Sequence, residues 1–160
     1  IANFTIAENM VLNSYYDEEY SSGTSIDWPH VSETAAAFCV DFDIRTPSVF
    51  LQAGNLSGGN QQKVIVAREF SRPIKLLIAS RPTRGLDVGS IEYIHGQIMK
   101  KRNDGTAVVL VSPELDEIMS LSDRIAVMFK GKFIAVMPAE EATREKLGLL
   151  MAGIKEPAAA

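Results

Sequence analysis

The sequence predicts an α/β fold with a mainly parallel sheet flanked by helices. Two short apolar runs, residues 74–79 and 107–111, have the length and composition of buried strands. The stretch 88–102 between them has the length of a helix and stops close to Asn103-Asp104-Gly105. A strand, a helix and a second strand in this order are typical of parallel strands in one sheet.

The N-terminal third of the chain predicts helices and a loop but no strand. Thr5-Ile6-Ala7-Glu8 has the pattern of a capping box, and we expect the helix that it opens to continue to Tyr15 or Tyr16. A polar loop is expected over residues 17–29 and a second helix over 31–42. Because a parallel sheet normally begins with a strand, and the chain starts at Ile1, we expect the opening strands to lie upstream.

The remaining elements follow from the alternation of apolar runs and turn residues. Helices are expected over residues 57–70, 114–120 and 140–151, and strands over 124–129 and 133–137, with a turn at Lys130-Gly131-Lys132. Residues 156–160 are expected to form a loose tail.

Composition narrows the class of protein. The chain has 160 residues, 46% of them apolar, which is enough for a domain with a real core. Its net charge of -4 offers no broad basic face, so we expect no nucleic-acid partner. The single cysteine, Cys39, cannot form an internal disulfide, and no apolar run approaches the length of a membrane-spanning helix. These features predict a soluble, cytoplasmic protein.

The stretch Leu56-Ser57-Gly58-Gly59-Asn60-Gln61-Gln62-Lys63 places two glycines at the start of a predicted helix. The first amides of a helix lack internal partners and carry the positive end of the helix dipole. Two glycines let an anion approach these amides, and the Ser57 hydroxyl can cap the helix or donate. Such a helix start suits a nucleotide phosphate.

These residues and a second motif resemble the ATP-binding domain of ABC transporters. Leu56 to Lys63 is similar to the signature motif, and Pro82-Thr83-Arg84-Gly85-Leu86-Asp87 is similar to the end of the Walker B strand running into the D-loop. The phrases at 42–48 and 121–125 resemble the second ATPase half of importers for simple sugars and nucleosides. The resemblance implies a partial P-loop NTPase fold: a helical subdomain over residues 1–55, the signature, Walker B, D-loop and switch part of the core over 56–137, and a C-terminal helix and tail over 138–160.

Three departures from the family pattern fall on catalytic positions. The sequence contains no Gly-x-x-x-x-Gly-Lys-Ser/Thr phosphate loop. Ser80 and Arg81 stand where the resemblance implies a magnesium-binding aspartate and a water-polarising glutamate, and neither supplies a carboxylate. Pro113 stands where it implies the switch histidine. We therefore expect a degenerate site, an inactive isolated fragment, and no nucleotide or metal bound to that fragment.

The resemblance also implies what the signature does. Two ATPase domains of this family pair head to tail, so Ser57, Gly58, Gly59, Asn60 and Gln61 would serve an ATP held by the partner half, and Asp87 would lie at the same interface. ATP and Mg²⁺ are expected in the full assembly. The expected partners are a second ATPase half and transmembrane permease subunits, on the cytoplasmic face of the membrane.

Two other functions remain open from the sequence. The chain could be a regulatory or assembly module that kept the fold and lost hydrolysis, or part of a soluble ABC ATPase that acts on nucleic acid or ribosomes. The transported solute is not encoded in any of these motifs.

Overall fold

The computed structural model describes residues 1–154 and confirms the predicted α/β fold. The chain divides into two compact units, one of Ile1–Leu76 with Pro82–Ala107 and one of Leu77–Arg81 with the chain from Val108 onward. The predicted boundaries after residues 55 and 137 stay predictions. The predicted tail over 156–160 lies outside the described residues.

The first unit is mainly helical. It contains α1 (Ile6–Met10), β1 (Ser21–Ser22), β2 (Ser25–Ile26), α2 (Trp28–Asp41), a 3₁₀ turn at Ala53–Asn55, α3 (Gly58–Phe70) and α4 (Val88–Asn103). Its core is formed by buried apolar side chains from α1, α2 and α3, among them Ile6, Met10, Val31, Ala35, Val64 and Ala67. Because Val64 and Ala67 are one helical turn apart, they fix one face of α3 to this core and leave the start of the helix at its edge.

The capping box that opens α1 is confirmed, but the predicted length of this helix was wrong. The Thr5 hydroxyl accepts a hydrogen bond from the Glu8 amide at 3.1 Å, and the Thr5 amide donates to the Glu8 carboxylate at 2.7 Å. The helix ends at Met10 and not at Tyr15, because Val11 leaves the helical conformation and its carbonyl accepts from the turn that follows.

The segment predicted as a loop over residues 17–29 contains a short antiparallel hairpin. Strands β1 and β2 pair Ser22 with Ser25, and Gly23 takes a positive φ of 65° at the turn. Helix α2 begins at Trp28, three residues before the predicted start. The reason is Asp27, whose carboxylate caps the helix by accepting from the His30 amide at 3.1 Å.

The second unit contains two strand pairs and two helices. Its elements are β3 (Leu76–Ser80), β4 (Ala107–Val111), α5 (Leu115–Leu121), β5 (Arg124–Phe129), β6 (Lys132–Pro138), a 3₁₀ turn at Ala139–Glu141 and α6 (Arg144–Met151). The first residues of β3 and β4, Leu76 and Ala107, are counted with the first unit. Strands β3 and β4 form the small parallel sheet, and β5 and β6 form an antiparallel hairpin.

All four strands predicted for this region are present, although β3 begins two residues later than predicted and β6 is one residue longer at each end. The last helix was predicted too long. It starts at Arg144 because the Thr143 hydroxyl caps it, accepting from the Lys146 amide at 3.2 Å. Residues before this cap form the separate 3₁₀ turn. Within residues 1–154, none of the helices combines the length and the hydropathy needed to cross a membrane.

Candidate functional site

The start of α3 is open to solvent at its first two residues. Ser57 is the N-cap, with extended backbone angles, and its hydroxyl accepts a hydrogen bond from the Asn60 amide at 3.4 Å. Ser57 and Gly58 are both exposed. A methyl group built on Gly58 would meet no atom within 4 Å, so a ligand can approach the amides of this first turn.

Gly59 is different, because it is buried against the start of α4. A Cβ atom at this position would overlap the Ser90 hydroxyl and would lie 3.3 Å from both the Ser90 Cβ and the Asp87 carboxylate. The second glycine of the motif therefore permits a close approach between two helix starts of the same unit. Ligand access is the role predicted for both glycines, whereas only Gly58 lies in open space.

The two amide side chains that follow are hydrogen-bonded within the chain. The side-chain oxygen of Asn60 accepts a hydrogen bond from the Arg45 backbone N–H at 2.9 Å, and its side-chain nitrogen donates to the Ser57 hydroxyl oxygen at 3.0 Å. The Gln61 side chain donates to the Leu56 carbonyl at 2.8 Å. These bonds hold the residues on either side of the helix start in place.

Asp87, the D-loop aspartate, caps the start of α4 next to Gly59. One carboxylate oxygen accepts from the Ser90 amide at 3.0 Å, and the other accepts from the Ser90 hydroxyl at 2.8 Å. These bonds favour the charged carboxylate and hold the pKa of Asp87 below its usual value. The structure thus places the Asp87 carboxylate beside Gly59 of the same chain, and the role of Asp87 at an interface with a partner half stays a prediction.

A charged cluster that the sequence reasoning missed lies beside these residues. The Lys63 ammonium group, on the second turn of α3, donates to the Asp43 carboxylate at 2.6 Å and to the Asp43 carbonyl at 2.8 Å. It also lies 4.6 Å from the centre of the Tyr93 ring. Only 10% of the Lys63 side chain is exposed, so this buried charge depends on its two neighbours.

The pKa values of Asp43 and Tyr93 are both shifted in this cluster. The hydrogen bond from Lys63, and then its charge, lower the pKa of Asp43. Burial raises the pKa of Tyr93, and the negative charge of Asp43 adds to the rise. The Tyr93 hydroxyl oxygen is buried.

The cluster and the helix starts line one recess of about 350 Å³. Its walls are formed by Asp43, Arg45, Ser57, Asn60, Lys63, Asp87, Gly89, Ser90 and Tyr93. Carboxylates and basic groups are both present, so the recess has no strong excess of either charge. It is polar, and it opens beside the exposed start of α3.

The predicted degenerate positions lie together in the second unit. Ser80 is the last residue of β3, Arg81 follows it, and Pro113 lies two residues after the end of β4. The Arg81 amide donates to the Val111 carbonyl at 2.8 Å, which brings the carboxyl ends of the two parallel strands side by side. Arg81 also has a positive φ of 49°, which is uncommon for a residue with a side chain.

This edge of the sheet supplies none of the groups that the family pattern places there. Ser80, Arg81 and Pro113 are all exposed, and none of them carries a carboxylate or an imidazole. Within residues 1–154, no group of histidine, cysteine, aspartate and glutamate side chains has the geometry of a metal site.

Solved structures establish the fold. The chain matches a dimeric post-hydrolysis structure of the ATP-binding cassette MJ0796, bound to ADP and phosphate, with a TM-score of 0.70, 23% identity, and coverage of 87% of this chain and 58% of that one. It matches the cassette MJ1267 of an ABC transporter with a TM-score of 0.71, 21% identity, and coverage of 95% and 62%. The chain therefore has the fold of an ABC ATPase.

Relatives with higher sequence identity than the solved structures are import ATP-binding proteins. The chain is 48% identical over 153 residues to the guanosine import ATP-binding protein NupO of Bacillus subtilis, and 44% identical over 153 residues to the nucleoside import ATP-binding protein NupA of Lactococcus lactis. Each match covers 96% of this chain and 30% of the relative. No protein-family model matches the chain.

These matches confirm the resemblance predicted from the motifs. The glucose import ATP-binding protein TsgD13 of Haloferax volcanii also matches, at 42% identity over 94% of this chain and 28% of that protein. The chain is therefore homologous to part of the ATP-binding proteins of nucleoside and sugar importers. It spans about 30% of the length of these relatives.

Proposed function

We propose that this chain is part of the energy-coupling ATPase of an ABC importer for nucleosides or simple sugars. The observation that carries the proposal is the exposed start of α3, where Ser57 and Gly58 leave the first amides of the helix accessible. The chain that presents this helix start is 48% identical to part of a guanosine import ATP-binding protein. Exposed amides at the positive end of a helix suit the terminal phosphate of ATP.

In this proposal the signature acts on a nucleotide that is held by a second ATPase half. Ser57, Gly58 and Gly59 supply the helix start, and Asn60 and Gln61 support it. The Ser57 hydroxyl and the amides of the first turn donate to the γ-phosphate, where negative charge must be stabilised during hydrolysis. Asp87 lies beside Gly59 and contributes to the interface between the two halves.

The chain's own nucleotide site is proposed to be degenerate. At the ends of β3 and β4, Ser80 offers a hydroxyl and Arg81 a permanently charged guanidinium, so neither can take a proton from water at neutral pH. Pro113 has no polar side-chain atom to meet a phosphate. A site with these residues can at most hold a nucleotide, for which the exposed Arg81 side chain is available.

The proposal includes the surroundings of the full protein. ATP and Mg²⁺ would bind in the complete assembly, and transmembrane permease subunits would be the partners that use the energy of closure. The protein would then lie on the cytoplasmic face of the membrane. The net charge of -4 favours this arrangement over a nucleic-acid partner.

The test compares two serines on the same helix in the complete importer. Ser57→Ala removes the hydroxyl at the start of α3, whereas the control Ser71→Ala changes an exposed serine at the other end of the helix. We expect Ser57→Ala to lower kcat/KM for ATP about tenfold or more, as for the loss of a hydrogen bond to a charged group, and Ser71→Ala to leave it unchanged. Equal rates for both variants would overturn the proposed role of the signature.

The regulatory alternative makes a different prediction for the same protein. A module that kept only the fold would not be labelled at the start of α3 by a photoreactive ATP analogue bound to the full protein.

For the degenerate site, Arg81→Glu should weaken the retention of unhydrolysed nucleotide. Unchanged retention would show that Arg81 does not hold a phosphate.

A further inference from the structure

The side-chain amide of Asn60 has a fixed orientation. The Arg45 backbone N–H donates to it at 2.9 Å, and such a donor requires the amide oxygen as its partner. The amide nitrogen of Asn60 must therefore be the atom that lies 3.0 Å from the Ser57 hydroxyl oxygen. Because this nitrogen can only donate, the Ser57 oxygen is the acceptor in that bond.

The hydrogen bonds that the Ser57 oxygen accepts determine where its hydroxyl proton can point. The Ser57 oxygen also accepts from the backbone amide of Asn60 at 3.4 Å, so both of its lone pairs point toward the helix. The hydroxyl proton is then left to be donated elsewhere. Ser57 and Gly58 are exposed, so the direction that remains is the open side, from which an anion would arrive.

The position of Arg45 is itself held by α3. The Lys63 ammonium group, one helical turn beyond Asn60, donates to both the carboxylate and the backbone carbonyl of Asp43. Asp43 takes a positive φ of 48°. Residues 43–45 are therefore attached to the same face of α3 at two points, Asn60 and Lys63. This double attachment keeps the Arg45 amide directed at Asn60.

We propose that Asn60 is a positioning residue that acts through Ser57 by keeping the Ser57 hydroxyl a donor toward the bound phosphate. The inference rests on the proposed function of the signature, but it assigns a separate role within it. The chain of donors runs from the Arg45 backbone to the Asn60 amide, and from that amide to Ser57. Asn60 contributes by fixing the direction of the Ser57 proton.

Two substitutions of Asn60 separate this role from simple support of the helix. Asn60→Asp keeps an oxygen for the Arg45 amide but offers Ser57 a second acceptor, so the Ser57 proton turns inward and only lone pairs face the phosphate. Asn60→Ala removes both bonds and leaves the hydroxyl free to rotate. We expect Asn60→Asp to lower kcat/KM for ATP by about tenfold or more relative to Asn60→Ala in the complete importer.

The same two substitutions in a Ser57→Ala background provide the control. Without the hydroxyl, Asn60→Asp and Asn60→Ala should differ by less than about threefold, because the added negative charge and the retained bond from the Arg45 amide no longer act on a Ser57 proton. A folding defect of either Asn60 variant is present in both backgrounds and cancels in this comparison. The cycle therefore reports coupling between the two side chains.

The outcomes distinguish the two proposals. If Ser57→Ala alone leaves the kinetics unchanged, the proposed function of the signature is wrong. If Ser57→Ala lowers activity but the Asn60→Asp to Asn60→Ala ratio is the same in both backgrounds, the proposed function stands and the positioning role of Asn60 is wrong. A ratio that collapses in the Ser57→Ala background supports both.

Discussion

Alanine at the second glycine of the signature should destabilise the start of α3, whereas alanine at the first should not. A Cβ on Gly59 would overlap the Ser90 hydroxyl and lie 3.3 Å from the Ser90 Cβ, so either the hydroxyl must rotate or the two helix starts must separate. Rotation would break the 2.8 Å hydrogen bond to Asp87. Overpacking of this kind costs about 1–3 kcal/mol.

The net effect is smaller because alanine favours a helix over glycine. That preference is about 0.5–1 kcal/mol. The difference between these ranges is about 0–2.5 kcal/mol, and we expect Gly59→Ala to lower the local free energy of unfolding by an amount in the middle of it, roughly 1–2 kcal/mol. For Gly58→Ala, no atom lies within 4 Å of the new Cβ, so we expect a change between zero and a gain of about 1 kcal/mol.

Hydrogen–deuterium exchange of the intact protein measures this difference directly. Amides of α3 and α4 should exchange roughly five- to thirtyfold faster in Gly59→Ala and at unchanged or slower rates in Gly58→Ala. Adding Ser90→Ala to Gly59→Ala removes the overlapping oxygen and should reverse most of the acceleration. Equal protection in both glycine variants, or no reversal by Ser90→Ala, would refute the close packing of the two helix starts.

Three further predictions concern stability and protonation. Thr5→Ala removes the α1 cap and should cost about 1 kcal/mol, measured as the urea-dependent exchange of α1 amides, while loss of less than a few tenths would contradict the cap. Lys63→Met leaves the Asp43 carboxylate without its cation and should raise its pKa in an NMR titration, whereas Lys63→Arg should preserve the lowered pKa. Because hydrogen bonds lower the pKa of Asp87 in the folded chain, its stabilising effect is complete above about pH 3.9 and is lost as the pH falls through the lower folded pKa. Exchange of the α4 start should therefore accelerate in acid, and Ser90→Ala should reduce that acceleration.

The elements with local signals were predicted well from the sequence. The strands that became β4 and β5 match the predicted residues because each apolar run is bounded by turn residues or a helix start. Helix α3 begins where the serine cap and the glycines place it. In these cases the residues that set an element's limits lie within or next to the element.

Features that depend on distant partners were not predictable in this way. The amides of Ile6 and Ala7 at the start of α1 donate to the carbonyls of Leu51 and Val49, more than forty positions away, and no local pattern announces such a bond. Lys63 is buried because Asp43, twenty positions earlier in the chain, takes a left-handed conformation that brings its carbonyl and its carboxylate to one ammonium group. Pattern and propensity carry no information about such pairings.

The two glycines of the signature show how a motif can combine a ligand requirement with a folding requirement. At Gly58, nothing in the surroundings would meet a side chain, so the packing does not require a glycine there and only the proposed access of a phosphate to the helix amides does. At Gly59, the contact with Ser90 and Asp87 is sufficient by itself to exclude a side chain, whether or not a nucleotide binds. The Gly59 contact packs the start of α3 against the aspartate that caps α4, so Gly59→Ala tests the folding requirement even in the absence of a nucleotide.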